Sequence, residues 1–240
     1  MTAAAWTTEL DHAVIMVRDR LEQAAPHFER QGYTLSETEV HNLGSWNRLI
    51  VLRHSYVELL GWPPGKPPAR KEIADSPLGL EALVLRTEDA GATYERLRAA
   101  GYAVNPVQAL TRPARVDGKI MEARFDTVRF AEQPIPGVRL YFCRHLTPEC
   151  VWQPALMNHA NGAHNVVEVS VRAQDPAAFA TRFADLADTA AQPVDEGAWI
   201  VPLGHARLRI TQAPAGQGNA LDALTLEDNV GRRSLLDTKF

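Results

Sequence analysis

Hydrophobic and polar positions along this chain change period in a repeating way. Leu10, Ala13, Val14, Ile15, Met16 and Val17 form an apolar run that ends in Arg18-Asp19. A short run of this kind predicts a buried strand. Helical spacing follows over 21–30, with Leu21, Ala24, Ala25 and Phe28 on one face and Gly32 beyond the end. The same order returns at Leu80–Glu88, then a helical stretch over 90–100 with Tyr94 and Leu97, then Gly101. Asp19 to Gly32 spans 13 positions and Glu88 to Gly101 also spans 13, so the copies are offset by 69. A third copy starts with the strand-like run Asn165–Arg172. Asp175-Pro176 then caps and opens a helix that reaches Leu186. Residues 199–203 and 206–210 predict strands meeting at Gly204, and 221–226 predicts one more.

After each helix the period falls to two. Residues 34–40, 47–52 and 56–60 are predicted strands, with turns at 42–45 and 53–55. Each unit therefore reads β-α-β-β-β. The second is longer, because 105–131 carries Pro106, Pro113 and Gly118 and reads as a loop excursion before a strand at 138–143. The expected fold is α+β, with repeated βαβββ modules forming curved mixed sheets around a cleft. Paired modules are expected over 1–146 (module one 9–62, module two 78–146). A third, degenerate βαβββ-like module with a terminal strand is expected over 160–240. Pro63–Pro68 predicts a stiff linker, and 147–159 a second one.

Composition narrows the function. The chain has 240 residues, 45% apolar, which is enough for a full core. Lys plus Arg is 25 against 29 Asp plus Glu, a net −4 that does not suit a polyanion binder. No apolar run approaches the roughly 20 residues of a membrane span, and Met1–Leu10 lacks the pattern of a signal peptide. Cys143 and Cys150 are too few for a disulfide scaffold, so reduced thiols and a cytoplasmic location are expected. The expected partner is a small-molecule substrate, not nucleic acid or membrane. An odd number of units leaves edge strands, which favours a homodimer. Arg112–Arg115 and Arg232-Arg233 read as solvated basic patches, and His159 and His164 as loop residues beside Asn161-Gly162.

The repeat register gathers the chemistry. The 13-residue spacing aligns His12 with Glu81 and Glu168, each inside a first strand. A charged or imidazole side chain in an apolar strand needs a partner, a hydrogen bond or a metal. Glu58, between Val57 and Leu59-Leu60, is a second such residue on the fourth strand of unit one. Neither cysteine has the surroundings of a nucleophile. No Walker loop, Rossmann fingerprint, His-Glu-x-x-His or Cys-x-x-Cys motif is present.

Leu10-Asp11-His12-Ala13-Val14-Ile15, His41-Asn42-Leu43-Gly44 before Asn47, and Tyr56-Val57-Glu58-Leu59 resemble the glyoxalase-like branch of the vicinal oxygen chelate superfamily. That superfamily includes glyoxalase I, methylmalonyl-CoA epimerase, extradiol dioxygenases and bleomycin-binding resistance proteins. The likeness is best over 9–62, fair to 146 and thin afterwards. It implies one divalent metal held between paired modules by first- and fourth-strand residues. His12 and Glu58 match those positions in unit one, and Glu81 matches the first strand of unit two. In the fourth strand of unit two, Tyr141 or Phe142 stands where Glu58 would correspond, which is a departure from the pattern. The ligand set His12, Glu58 and Glu81 suits Mn²⁺, Zn²⁺, Fe²⁺ or Mg²⁺. Glu58 and Glu81 are the catalytic candidates, with Glu81 either a third ligand or the base. His41 and Asn47 would contact substrate. His145 would join them, or replace the missing ligand. The implied function is a metal-dependent lyase or isomerase acting on a small α-hydroxy or α-keto carbonyl compound through a stabilised enolate. The alternatives are a metal-free sequestering protein of the bleomycin-resistance type and a dioxygenase.

Overall fold

The computed structural model describes residues 8–238. Residues 1–7, which carry most of the segment read for a signal peptide, lie outside that range. Unit one runs β1 (Leu10–Arg18), α1 (Leu21–Arg30), β2 (Glu39–Val40), β3 (Trp46–Val51) and β4 (Tyr56–Gly61). A short helix α2 (Lys71–Ala74) leads to unit two: β5 (Gly79–Arg86), α3 (Ala90–Ala99), β6 (Gln108–Val116), β7 (Lys119–Arg129) and β8 (Arg139–His145). Unit three is β9 (Ala163–Ala173), α4 (Pro176–Leu186), β10 (Gln192–Pro193), β11 (Trp199–Leu203) and β12 (Ala206–Gln212). The strands β13 (Ala220–Asp228) and β14 (Arg233–Leu235) follow.

In every unit the last strand returns parallel to the first: β4 beside β1, β8 beside β5, β12 beside β9. Units one and two join through the antiparallel pair β1–β5. This gives an eight-stranded mixed sheet in the order β2-β3-β4-β1-β5-β8-β7-β6. Unit three pairs with β13 in the same antiparallel way, giving a six-stranded sheet ordered β10-β11-β12-β9-β13-β14. The architecture is therefore α+β with repeated βαβββ units. No helix among the described residues is long and apolar enough to cross a membrane.

Alternation along the strands sorts two cores. Leu10, Ala13, Ile15 and Val17 of β1 pack with Leu21, Ala24 and Phe28 of α1, in a cluster that also holds Val169 and Val171 of β9 and Phe183 of α4. Val14 and Met16 face the other way, with Leu49, Tyr56, Leu60 and Tyr141. Helix starts follow the capping rule where the residue allows it. Asp89 and Asp175 each accept a backbone N–H at 3.0 Å, from Ala92 and Ala178.

Three expectations need correction. Residues 105–131 form a long hairpin, not a loop excursion: β6 pairs with β7 through Val116↔Lys119. Between them Asp117 and Gly118 both have positive φ, 48° and 76°, as the tightest hairpin turn requires. Of 34–40, only Glu39–Val40 is a strand. Finally, the 13-residue alignment is one position off in unit two. Core phase equates Ala13 with Leu83 and Val57 with Leu140, all in the same cluster. The pair Ala82↔Arg139 then corresponds to His12↔Tyr56, and Tyr141 corresponds to Glu58.

A bulge present in unit one alone explains the slip, and it is distinct from the pair that units one and two share. Pairing between β1 and β5 skips Asp11 on one strand and Glu81 on the other. Each is the extra residue of a bulge, which re-aims a side chain that strict alternation would send into the core. These two residues correspond, so they leave the copies in step; the slip comes from Val17, an extra residue of β1 between Met16↔Leu60 and Arg18↔Gly61, whereas β5 pairs with β8 without a break.

Candidate functional site

His12 is brought from β1 and Glu58 from the neighbouring β4 onto the face that holds Val14 and Met16. They are 3% and 6% exposed, and both line a cavity of about 40 Å³ with His41, Asn47, Tyr141 and four arginines. His12 Nε2 is 3.7 Å from Glu58 Oε2 and 3.2 Å from the Tyr141 hydroxyl. Tyr56, its partner on β4, stacks on the His12 ring at 4.3 Å and 15°.

The bulged Asp11 sits behind this pair and fixes it. Burial opposes its charge, but the neighbouring His145 and hydrogen bonds from His12 and His145 hold the carboxyl well below its usual range. An ionised carboxylate can only accept. His12 therefore donates from Nδ1 at 2.6 Å, and His145 from Nε2 at 3.0 Å. Arg86 donates to the second oxygen at 3.0 Å. His12 Nε2 is left facing the cavity, beside the Tyr141 hydroxyl.

Glu58 is oriented by Asn47, whose Nδ2 donates to Oε1 at 2.8 Å. Burial would raise its carboxyl, but the facing His12 and His41 and the Asn47 hydrogen bond bring it below the ordinary value. His41 bonds Ser45 Oγ at 3.1 Å, and burial pushes its imidazole down to about 4, so it is neutral at pH 7. Burial and the Glu58 charge raise the Tyr141 phenol, which stays protonated.

His12, Glu58, His41 and Asn47 thus share one cavity, while Glu81 and His145 stand elsewhere. Both Glu81 oxygens are taken by Arg139, at 2.6 and 2.7 Å, and Ser76 donates to one of them. Glu81 therefore acts on the cavity through Arg139, which lines it. His145 lies behind Asp11, against Phe125 and Trp152 at 5.0 and 4.8 Å. Arg112, read as solvated, is 5% exposed and lines the cavity. Asp11 and the arginines at 129 and 139 lie outside the positions that the repeat register and the family resemblance pick out. An acidic residue beside His12 within an apolar strand was the available signal for Asp11.

The fold and this cleft define a glyoxalase-like domain, and sequence comparison agrees. A family model described as "Glyoxalase-like domain" matches residues 10–187, so the chain belongs to that family, within the vicinal oxygen chelate superfamily. No curated protein matches the chain in sequence. Among solved structures, a hypothetical protein from Staphylococcus aureus superposes with a TM-score of 0.71 at 13% identity, covering 92% of this chain and 91% of that one. A mutant 4-hydroxymandelate synthase from Streptomyces coelicolor gives 0.54 at 15%, covering 93% and 72%. A xylose isomerase-like TIM barrel/4-hydroxyphenylpyruvate dioxygenase fusion protein gives 0.58 at 14%, covering 94% and 37%. At these identities the likeness is one of fold.

The family implies a divalent ion, and two donor groups bear on it. Asp11, Cys143 and His145 bring ligand atoms within 4.8 Å of one another, a possible metal site. Asp11 Oδ1 is already committed there to two imidazole donors, and burial followed by the Asp11 charge raises the Cys143 thiol well above its usual range. The other group faces the cavity. It combines His12 Nε2, the ionised Glu58 and the buried Asn47 Oδ1, an acceptor with no donor among the described residues. An imidazole, a carboxylate and an unsatisfied amide oxygen fit a hard or borderline cation with open positions.

Proposed function

We propose that the chain is a metal-dependent lyase or isomerase acting on a small α-hydroxy or α-keto carbonyl compound, with the ion held by His12 and Glu58. One observation carries this reading: two buried ligand-type side chains, 3.7 Å apart, face a cavity that has room for a few atoms. When bound, the ion would act as a Lewis acid on a carbonyl oxygen and favour charge build-up beside it. The chain's own groups supply the rest. Asp11 fixes the His12 tautomer, the arrangement that orients metal-ligating imidazoles. Asn47 fixes Glu58. Glu58 is the one carboxylate lining the cavity among the described residues, and its two oxygens divide the work: Oε2, which faces His12, would hold the ion, and proton removal from the carbon next to the carbonyl is assigned to Oε1. Tyr141 keeps its proton and can donate a hydrogen bond to a developing oxyanion. Glu81 acts as a positioning residue for Arg139.

A metal-free binding protein is the second reading, favoured by the four arginines around the cavity, which repel a cation. A dioxygenase has less support. His12, His41 and Glu58 line one cavity, but the described residues whose ligand atoms all come within 4.8 Å are Asp11, Cys143 and His145. Metal analysis of the purified protein separates the first two. Near one divalent ion per chain, lost in Glu58→Gln, supports the enzyme. A metal-free protein whose melting temperature ignores added Mn²⁺, Zn²⁺ and Fe²⁺ would overturn it.

A further inference from the structure

The four arginines around the inner cavity are unequally neutralised. Arg139 is gripped by both oxygens of Glu81, and Arg70 lies 2.7 Å from Glu72. Arg112 donates to the Pro113 carbonyl at 3.1 Å. Arg129, at the end of β7, has no carboxylate within ion-pair distance among the described residues. Its Nε and Nη1 are buried and lack acceptors. Its guanidinium and that of Arg139 each lie 5.4 Å from the centroid of the Tyr141 ring. One ring face offsets only part of one positive charge. Burial, then the nearby Arg70, already weaken Arg129's hold on its proton. Arg129 is half-buried, and an unpaired cation whose Nε and Nη1 are cut off from water among like charges is costly; a bound anion would remove that cost.

The surroundings say where such an anion sits in a ligand. Arg70, Arg129, Arg139 and Tyr141 belong to the walls of both the inner cavity and an outer groove of about 790 Å³. The inner space admits a few atoms, and the groove admits a larger body partly lined by Leu43, Phe130 and Leu140. We propose that this junction is an anion subsite, in which Arg129, backed by Arg70, takes a phosphate or carboxylate group of the substrate. The reacting carbonyl then lies inward, toward His12 and Glu58, and the remainder fills the groove. This rests on the reading of the inner cavity as the catalytic site and names its substrate class: an α-hydroxy or α-keto carbonyl compound that also carries an oxyanion. Arginine suits the task because its planar fork matches both phosphate and carboxylate oxygens. A neutral substrate would leave Arg129 unpaired.

Calorimetric titration of inorganic phosphate and of malonate into the purified protein at low ionic strength tests the proposal. Saturable binding of either anion, at one per chain, is expected. The affinity should fall at least tenfold in Arg129→Met and recover in part in Arg129→Lys. Whichever anion binds tighter identifies the oxyanion. No saturable binding, or equal binding by wild type and both variants, overturns the subsite. If Arg129→Met fails to fold, the lysine variant at an unchanged melting temperature carries the comparison. Failure of the parent reading looks different: the wild type would hold no metal while anion binding still depended on Arg129.

Discussion

The two sheets start from the same unit and end with different faces. In both, a first strand carries a bulge and a polar residue just after it: Asp11 then His12 in β1, Val167 then Glu168 in β9. The partner strands also correspond, β4 to β12. In the eight-stranded sheet a complete second unit curls over, and His12 and Glu58 are buried. In the six-stranded sheet β13 and β14 stand where that unit would be. Glu168 there pairs with Arg207 at 2.7 Å, and the arginine side chain is 45% exposed. The bulge has also lost its acid, because Val167 replaces Asp11. The βαβββ unit thus supplies positions, whereas closure by a second unit takes those positions out of water and into a low dielectric.

If closure is what matters, the largest effect should come from the bulged acid of the closing unit. Glu81→Gln leaves Arg139 buried without its carboxylate, and breaking a buried pair this way destabilises by about 3–5 kcal/mol. Urea unfolding would measure it. A loss under about 1 kcal/mol would show that the cleft is open to water around Arg139.

Next comes pH. His41 titrates at about 4 in the folded chain because it is buried, against roughly 6.5 unfolded. The unfolded chain then binds the extra proton first. The stability from keeping His41 neutral is whole above pH 6.5 and drains away as pH falls to 4, by up to about 3 kcal/mol. Unfolding of metal-free protein at pH 7 and 4.5 should show this loss, and His41→Asn should shrink it. An unchanged loss in the variant would place His41 in a wetter setting.

These contrasts also explain what could be read from sequence. Period changes and glycine endings revealed three units, and unit one's Glu58 stood out because an acid inside Val57-Leu59-Leu60 needs a reason. His12 was found the same way. The register between units one and two was lost at Val17, since a bulge leaves no mark in hydrophobic period. The hairpin 108–129 was hidden by Pro106 and Pro113, although Asp117-Gly118 was a turn signal between alternating residues. The arginines of the cavity escaped for a simpler reason. A charged residue on a strand reads as solvent-facing until a second layer is known to cover it, and that layer is a long-range property.

Asp11 offers a smaller test inside the closed sheet. Asp11→Asn keeps the shape but removes the negative charge behind His12 and can reverse the tautomer. Loss of such a carboxylate typically lowers metal affinity about 10–100-fold, so competition with a chelator should show weaker retention than in wild type. Retention equal to wild type would move the ion away from His12.

The smallest effect belongs to the open sheet. Glu168 occupies the phase of His12, and its ion pair with Arg207 has good distance but a largely solvated partner. Exposed pairs of this kind contribute about 0–1 kcal/mol, because water and salt screen them and ordering two long side chains opposes the gain. Glu168→Ala should therefore shift urea stability by less than about 1 kcal/mol and leave metal content unchanged. The shift should shrink further in 0.5 M salt, at roughly half the Debye length of 0.15 M. A loss as large as that of Glu81→Gln would mean that something covers this face in solution. The two sheets would then differ less than their strand counts indicate.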